Sequence, residues 1–227
     1  QKRTIRRNME KILVLMSTYN GEKYLQEQLN SLYSQENAEV FILVRDDGST
    51  DGTIEILNRN IENHGNIKLA QDNKGNLGVA KSFFEIMKEA AKTSHTYFAF
   101  CDQDDIWDRD KLSKAMDKLK DQKGPALYSS GQRLVDENGK MLEEHKLNFY
   151  RTLKTRFVLS DFAGCTGVFN RQLLEEIVRF EPEYMLMHDT WALRVCFCIG
   201  GCNNHTYDDV APCREYGGNP RLKSPSG

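Results

Sequence analysis

The sequence predicts an α/β fold: a mostly parallel central sheet with helices on both faces. Three observations carry it. The first half alternates short apolar runs with segments of helical periodicity, four times over. The apolar runs are near-continuous rather than alternating, as strands covered on both faces are. Three polar clusters, Ser17–Asn20, Asp46–Ser49 and Asp102–Asp105, each follow an apolar run. In an open parallel sheet ligands bind beyond the carboxyl ends of the strands, so three clusters on one edge mark a site.

The elements follow in order. Lys11–Ser17 is a continuous apolar run and reads as the first strand. Thr18-Tyr19-Asn20-Gly21 is a loop. From Glu22 to Gln35, Leu25, Leu29 and Leu32 recur at helical spacing. Val40–Val44 is a second buried strand, and Asp51 opens a helix to Glu62. Ile67–Ala70 is a short third strand. Asn76–Ala91 is a helix with Phe83, Phe84, Met87 and Ala90 on one stripe. Tyr97–Cys101 is the fourth strand, and Asp108–Gln122 a helix with Leu112, Ala115, Met116 and Leu119 inward. Asp105 or Asp108 is placed to cap that helix, and Trp107 to pack the turn against it. The second half has a less regular pattern. Ala126–Val135 reads as one strand, Glu137-Asn138-Gly139-Lys140 as a hairpin turn, and Asn148–Asp161 as a polar connection. Gly164–Asn170 is a strand, Arg171–Phe180 a helix, and His188–Ile199 another. Thr206–Asp208 reads as a last short strand. The Gly-, Pro- and Ser-rich segment from Pro212 to Gly227 is expected to be loose.

The chain has 227 residues, 39% hydrophobic and 28% charged, which suits one globular domain that buries its own core. A net charge of -2 counts against non-specific nucleic-acid binding. Six cysteines form no C-x-x-C pair, and no histidine stands at zinc-finger spacing, so free cytosolic thiols are expected. His64, His95, His145 and His205 show no partner pattern. Lys2, Arg3, Arg6 and Arg7 precede an apolar run too short for a signal peptide, and no small-residue cleavage site follows. Gln1 is not an initiator, and Met9 is the expected start. No stretch approaches the ~20 apolar residues that span a bilayer. The expected division is an extension over 1–10, a domain over 11–210 and a tail over 211–227. The domain splits into a nucleotide-binding half, 11–123, and an acceptor half, 124–210.

The chemistry centres on Asp102-Gln103-Asp104-Asp105. If the extended conformation persists beyond Cys101, Asp102 and Asp104 point to one face. Two carboxylates there can hold a divalent cation such as Mg²⁺, whose shell a substrate diphosphate and waters complete. Asp105 then falls on the other face and serves the turn or the acceptor side. Asp47 is placed to accept the N–H of a uracil or thymine ring. Thr18, Tyr19 and Asn20 can hold base and ribose, with stacking on Tyr19. Lys74 and Lys81 are candidate diphosphate partners. A general base must reach an acceptor hydroxyl. Asp189 fits by type, His188 competes with it, and an N-capping role for Asp189 would look the same in sequence.

In this order, Ser17-Thr18-Tyr19-Asn20-Gly21, Asp46-Asp47-Gly48-Ser49-Thr50-Asp51, Asn73-Lys74-Gly75-Asn76-Leu77-Gly78, Asp102-Gln103-Asp104-Asp105-Ile106-Trp107, Gly164-Cys165-Thr166 and His188-Asp189 resemble glycosyltransferase family 2. The resemblance is to its bacterial branch of rhamnosyltransferases of polysaccharide and O-antigen assembly, over roughly Lys11 to Asp209. It implies a GT-A fold, an Asp-x-Asp metal site at Asp102 and Asp104 for Mn²⁺ or Mg²⁺, and an inverting single displacement with Asp189 as base. Thr18, Tyr19, Glu22 and Asp47 match nucleotide-contacting positions of the family, with Asn20, Lys81, Asp102 and Gln103 counted at the same end. Gly164, Cys165 and Thr166 match a segment lining the acceptor side, where His188 and Trp191 are also assigned. The implied partners are a dTDP- or UDP-sugar donor and a saccharide or lipid-linked acceptor, with peripheral contact at the cytoplasmic face of the membrane. The chain departs from the branch at Arg214-Glu215-Tyr216-Gly217-Gly218-Asn219, where Arg-x-His and Gly-Asn-Asn are usual. It also stops sooner than the branch does, without the C-terminal helices that often meet the membrane, as a truncated chain or a degenerate member would.

Competing classes fare less well. A sugar nucleotidyltransferase needs a basic, Gly-rich phosphate loop, whereas Ser17–Glu22 has one glycine and an acidic residue. A phosphoaspartate enzyme of the Asp-x-Asp-x-Thr type needs a threonine where Ile106 stands. An inactive nucleotide-sugar-binding homologue is the non-enzymatic alternative, kept open by Arg214–Asn219.

Overall fold

The computed structural model describes residues 9–136, 140–145, 162–200 and 213–216. The predicted sheet is present. Strands β1 (Glu10–Thr18), β2 (Ala38–Asp46), β3 (Ile67–Leu69), β4 (Tyr97–Cys101), β6 (Leu127–Ser129) and β9 (Gly167–Asn170) form it in the order β3-β2-β1-β4-β9-β6. β1 pairs in parallel with β2 and β4, and β2 with β3. β9 is antiparallel to both β4 and β6. The chain therefore builds outward from β1 to β3, then crosses to the other side of β1 for β4. That reversal sits between β1 and β4, and their C-terminal ends, Thr18 and Cys101, border the crevice it opens.

Side-chain alternation along β1 explains the two cores. Ile12, Val14 and Met16 face one side, packed with Leu25, Leu29 and Leu32 of α1 (Leu25–Tyr33), Leu57 of α2 (Thr53–Asn63) and Leu112 and Met116 of α4 (Lys111–Leu119). Leu13 and Leu15 face the other, with Phe83, Phe84 and Met87 of α3 (Val79–Ala91), Leu173 and Ile177 of α5 (Arg171–Val178), and Leu193 of α6 (His188–Cys198). Each fully buried leucine is worth about 1.5–3 kcal/mol, whereas an exposed pair such as Lys92–Glu89 contributes about 1 kcal/mol or less. The apolar stripes hold the layers.

The junctions are satisfied by specific side chains. Asn170 caps α5, accepting from Leu173 N–H at 3.1 Å and from Ala126 N–H at 3.0 Å. Arg171 donates to the carbonyls of Ala91, Thr93 and His95, which closes the C-terminal end of α3.

Several expectations need correction. Ala126–Val135 is not one strand. The chain bends at Ser130–Gly131, so β6 stays in the main sheet while β7 (Gln132–Val135) enters a second. That sheet runs β5-β10-β7-β8, with β5 at Asp105–Trp107, β8 at Met141–His145 and β10 at Cys213–Tyr216. Neither β5 nor β10 was anticipated, and β10 lies in the segment expected to be loose. β7 and β8 pair antiparallel across the expected hairpin, whose turn residues 137–139 lie outside the described residues, as do 146–161 and the Thr206–Asp208 strand. Gly164–Thr166 forms a 3₁₀ turn ahead of β9 rather than the start of the strand. The helix after the Asp102 motif begins at Lys111, with Asp110 at its N-cap and no side-chain cap from Asp105 or Asp108. Among the described residues, Cys101, Cys165, Cys196 and Cys198 are in no disulfide, and no helix is long and apolar enough to cross a membrane.

Candidate active site

Two loops at the ends of β1 and β2 are laced together by short polar side chains. Asp46 closes an Asx-type turn, accepting from the N–H groups of Gly48 and Ser49, and its other oxygen accepts from Thr18 Oγ1 at 2.9 Å. Asn20, at φ +49°, donates its N–H to Ser49 Oγ and accepts from Thr50 N–H. Glu22 donates its N–H to Asp51 and its carboxylate accepts from Gly52 N–H at the head of α2. Thr18 is buried, whereas Asn20 and Glu22 are exposed. The Tyr19 ring is 50% exposed and open to stacking.

Across the switch point, Gln103 reaches this loop. Its Oε1 accepts from Tyr19 N–H at 2.9 Å and its Nε2 donates to Tyr19 O at 3.1 Å. Gly21 is needed beside it: a Cβ there would lie 2.3 Å from Gln103 Oε1.

Asp47 is only 3% exposed and is already engaged. It accepts from Arg45 Nη1 and from the N–H groups of Leu77 and Gly78, both at 2.8 Å. A nucleobase N–H would share or replace these donors. Arg45, itself buried, also donates to Asp72, Ser82 Oγ and Gly75 O. Burial alone would lower the Arg45 guanidinium, but Asp72 and Asp47 outweigh it and leave its pKa raised. The Arg45 hydrogen bond holds the Asp72 carboxyl below its usual range. This network pins the 72–78 loop, whose Asn73, Gly75 and Gly78 take positive φ, over the end of β2. Lys74 is spent on Glu85 at 2.7 Å. Lys81 is exposed in the first turn of α3.

The carboxylate cluster departs from the predicted geometry. The strand ends at Cys101 and the chain turns at Gln103–Asp104 before β5 begins at Asp105. Alternation therefore does not carry from Asp102 to Asp104. Ligand atoms of Asp102, Asp105 and Cys165 all lie within 4.8 Å of one another. Asp105 and Cys165 are buried, and Asp102 and Asp104 half-buried. Carboxylate oxygens are hard donors suited to Mg²⁺ or Mn²⁺, so Asp102 and Asp105 fit a divalent cation of that kind, whereas the Cys165 thiol is a soft donor.

Cys165 ties this cluster to the second half of the chain. Its neighbour Gly164 donates its N–H to Asp189 Oδ2 at 3.1 Å. A Cβ on Gly164 would meet His188 Nε2 at 2.8 Å and Asp189 Cβ at 3.3 Å. Thr166 is bonded to Ser129 through their hydroxyls at 2.8 Å. The N-cap of α6 is Met187, so Asp189 is not the capping residue. It sits in the first turn, half-buried, also accepting from Thr190 N–H, where the helix dipole favours a carboxylate. His188 is 2% exposed, stacked on Phe83 with centroids 3.7 Å apart and edge-on to Phe100 at 4.8 Å. Trp191 turns to α5, donating to Ile177 O at 3.2 Å.

The structure thus brings Thr18, Tyr19, Asn20 and Gln103 together at one end, Asp102 and Cys165 in the middle, and Gly164, His188 and Asp189 at the other. Lys81 stands in the first turn of α3, and Trp191 is engaged with α5. Arg45 and Lys111 are polar groups at the site that sequence reasoning gave no part, and Asp105, expected to serve the turn or the acceptor side, stands with Asp102 and Cys165. Arg45 next to Asp46-Asp47 was the available signal, since an arginine ending a buried strand needs acidic partners.

The sequence model of the family described as Glycosyl transferase family 2 matches residues 13–178. The dTDP-rhamnosyl transferase RfbG of Shigella flexneri is 32% identical over 175 residues, covering 73% of this chain and 57% of RfbG. The putative teichuronic acid biosynthesis glycosyltransferase TuaG of Bacillus subtilis is 27% identical over 135 residues, 59% of this chain and 51% of TuaG. The chain thus spans little more than half the length of these relatives. Among solved structures, Staphylococcus aureus TarS 1–349 in complex with UDP superposes with a TM-score of 0.68 at 24% identity, over 91% of this chain and 60% of that one. The mannosyltransferase PcManGT of Pyrobaculum calidifontis, solved with GDP-Man and Mn²⁺, gives 0.62 at 21%, over 90% and 56%. The architecture is the GT-A fold that the resemblance implied, and with the family match over most of its length the chain belongs to glycosyl transferase family 2.

Proposed function

We propose that this chain carries the catalytic domain of an inverting glycosyltransferase of cell-surface polysaccharide synthesis. It would move a sugar from a dTDP- or UDP-sugar to a saccharide or lipid-linked acceptor at the cytoplasmic face of the membrane. The similarity to RfbG favours rhamnose from a dTDP donor. The observation that carries the reading is the line from Tyr19–Gln103 through Asp102 to Asp189, in which the Gly164–Thr166 turn joins the carboxylate end of β4 to a second carboxylate across the crevice.

Thr18, Tyr19, Asn20, Glu22 and Gln103 would shape the nucleoside end, with Tyr19 stacking on the base and Asp47 offering an acceptor to its ring N–H. Lys81 would face the diphosphate. A divalent cation, Mn²⁺ or Mg²⁺, would be held by Asp102 and Asp104, the half-buried pair that an incoming diphosphate can share; it would offset charge on the departing diphosphate. Asp189 would take the proton of the acceptor hydroxyl as that oxygen bonds to the anomeric carbon and the sugar–diphosphate bond breaks. Gly164 N–H fixes one oxygen of Asp189, which leaves the carboxylate oriented for this task. Gly164, Cys165 and Thr166 would line the acceptor side. His188, enclosed by Phe83 and Phe100, supports Asp189 from behind rather than acting as the base.

Binding of UDP and dTDP, each with and without Mn²⁺, followed by thermal melting, tests the donor site: a rise in melting temperature that grows with metal is expected. No shift with any nucleoside diphosphate would refute the assignment. Asp189→Asn is then expected to keep the nucleotide shift and lose sugar transfer.

A further inference from the structure

Lys111 opens α4 and is fully buried. A lysine at the start of an amphipathic helix is ordinarily solvated, because taking an ammonium out of water costs several kcal/mol. Here its Nζ stands 4.4 Å from the centroid of the Trp107 ring and donates to the main-chain carbonyl of Cys165 at 2.6 Å. An apolar side chain of the same volume would pack against Trp107 without that penalty. The buried charge therefore needs a reason other than packing.

The carbonyl it holds supplies one. Cys165 is the middle residue of the Gly164–Thr166 turn. On one side of it, Gly164 N–H donates to Asp189. On the other, Thr166 O accepts from Ser130 N–H at 3.2 Å and the Thr166 hydroxyl meets Ser129. Gly164 has no side chain with which to be held, and the space where one would go is filled by His188 and Asp189. Its position is set by the main chain alone. Lys111 lies one helical start beyond Asp105–Trp107, so it links the segment that follows the carboxylate turn to the turn that touches Asp189.

We propose that Lys111 is a positioning residue for transfer: its ammonium fixes the main chain at Cys165 so that Gly164 holds Asp189 at a set distance from Asp102. The inference rests on the transferase reading, with Asp189 as the base. Lys111 touches neither donor nor acceptor in this scheme.

The test is a double-mutant cycle on the whole chain with Lys111→Met, Asp189→Asn and the pair. Melting temperature, binding of dTDP with Mn²⁺, and release of dTDP from dTDP-rhamnose with added saccharide are measured. Lys111→Met is expected to fold, to bind dTDP as the unaltered chain does and to keep donor KM. Its kcat is expected to fall roughly 10- to 100-fold, the scale on which misplacing a reacting group acts. The double variant is expected to be no slower than Asp189→Asn alone. A Lys111→Met kcat within about twofold of the unaltered chain, or additive losses in the pair, overturns the proposal. Should Lys111→Met not fold, Lys111→Leu, which likewise removes the N–H donor, takes its place: lowered kcat at unchanged KM supports the role, and unaltered kcat overturns it. Normal transfer by Asp189→Asn overturns the underlying reading and this proposal together. Normal transfer by Lys111→Met beside an inactive Asp189→Asn overturns this proposal only.

Discussion

Gln103 and Tyr19 bond to each other in both directions, side-chain amide to main-chain amide, across the gap between β4 and β1. The pair imitates one rung of a β-ladder where the two strands have already ended. It fixes the loop that carries the exposed Tyr19 ring.

Gln103→Ala removes both bonds. Each exposed neutral hydrogen bond contributes about 0.5–1.5 kcal/mol, so a stability loss of about 1–2 kcal/mol is expected in urea unfolding. Binding of UDP or dTDP is expected to weaken roughly five- to tenfold. Gly21→Ala pushes its Cβ into Gln103 and should imitate this variant. The pair Gly21→Ala with Gln103→Ala should be no worse for nucleotide binding than the worse single change, measured by calorimetric titration.

The three carboxylates separate by burial. Asp104→Asn is expected to remove the metal-dependent part of nucleotide binding with little change in melting temperature. Asp102→Asn should do the same. Asp105→Asn alters a buried group at the head of β5 and is expected to lower the melting temperature first. Titration of each variant with Mn²⁺ and dTDP, beside thermal melts, distinguishes these. Equal loss of metal dependence in Asp105→Asn at unchanged stability would assign the cation to the Asp102–Asp105–Cys165 group instead.

Gly164→Ala drives a methyl group into the His188 ring and Asp189. Overpacking of this kind costs about 1–3 kcal/mol. The melting temperature should fall, and transfer should fall further than nucleotide binding, since the displaced groups lie on the side proposed for the acceptor. Normal transfer at lowered stability would separate this turn from the chemistry.

The Arg45–Asp72 pair carries a pH signature. Its hydrogen bond from Arg45 depresses the Asp72 carboxyl in the folded chain. A depressed acid stabilises the fold above its unfolded value, near pH 4, and that stabilisation is lost as pH falls through the folded value. Stability of Asp72→Asn relative to the unaltered chain, followed by melts from pH 7 to pH 3, should be lowest near neutrality, with the gap closing as acid is added. A gap that stays constant with pH would deny Asp72 this part.

Local pattern made the first half legible. The stripe Leu25, Leu29, Leu32 and the run Ile12–Met16 each signal their element within a few residues, and both are buried as expected. The Asp102 motif was legible as a site but not as a shape. Its three-residue strand Asp105–Trp107 has no periodicity to read, and its partner Cys213–Tyr216 lies far along the chain. The bend at Ser130–Gly131 was lost for a similar reason: Leu127–Ser129 and Gln132–Val135 are each too short to be told apart in sequence, and only the competing sheets divide them. Asp47 and Asp189 were picked by type and position, while several of the donors they accept from, the N–H groups of Leu77, Gly78 and Gly164, are main-chain groups that no side-chain pattern reveals. Lys111 was invisible for the opposite reason, because a buried lysine and a solvated one look alike in sequence.

The pairing of β5 with β10 sets an order of assembly. Asp105 and Trp107 find their backbone partners in Glu215 and Cys213, and β10 in turn runs beside β7. On a ribosome the four parallel strands and their helices emerge long before β10 does. The strand next to the carboxylate turn thus waits with an open edge, the kind that invites pairing with another chain. The strand beside the carboxylate turn is thus made early and paired late.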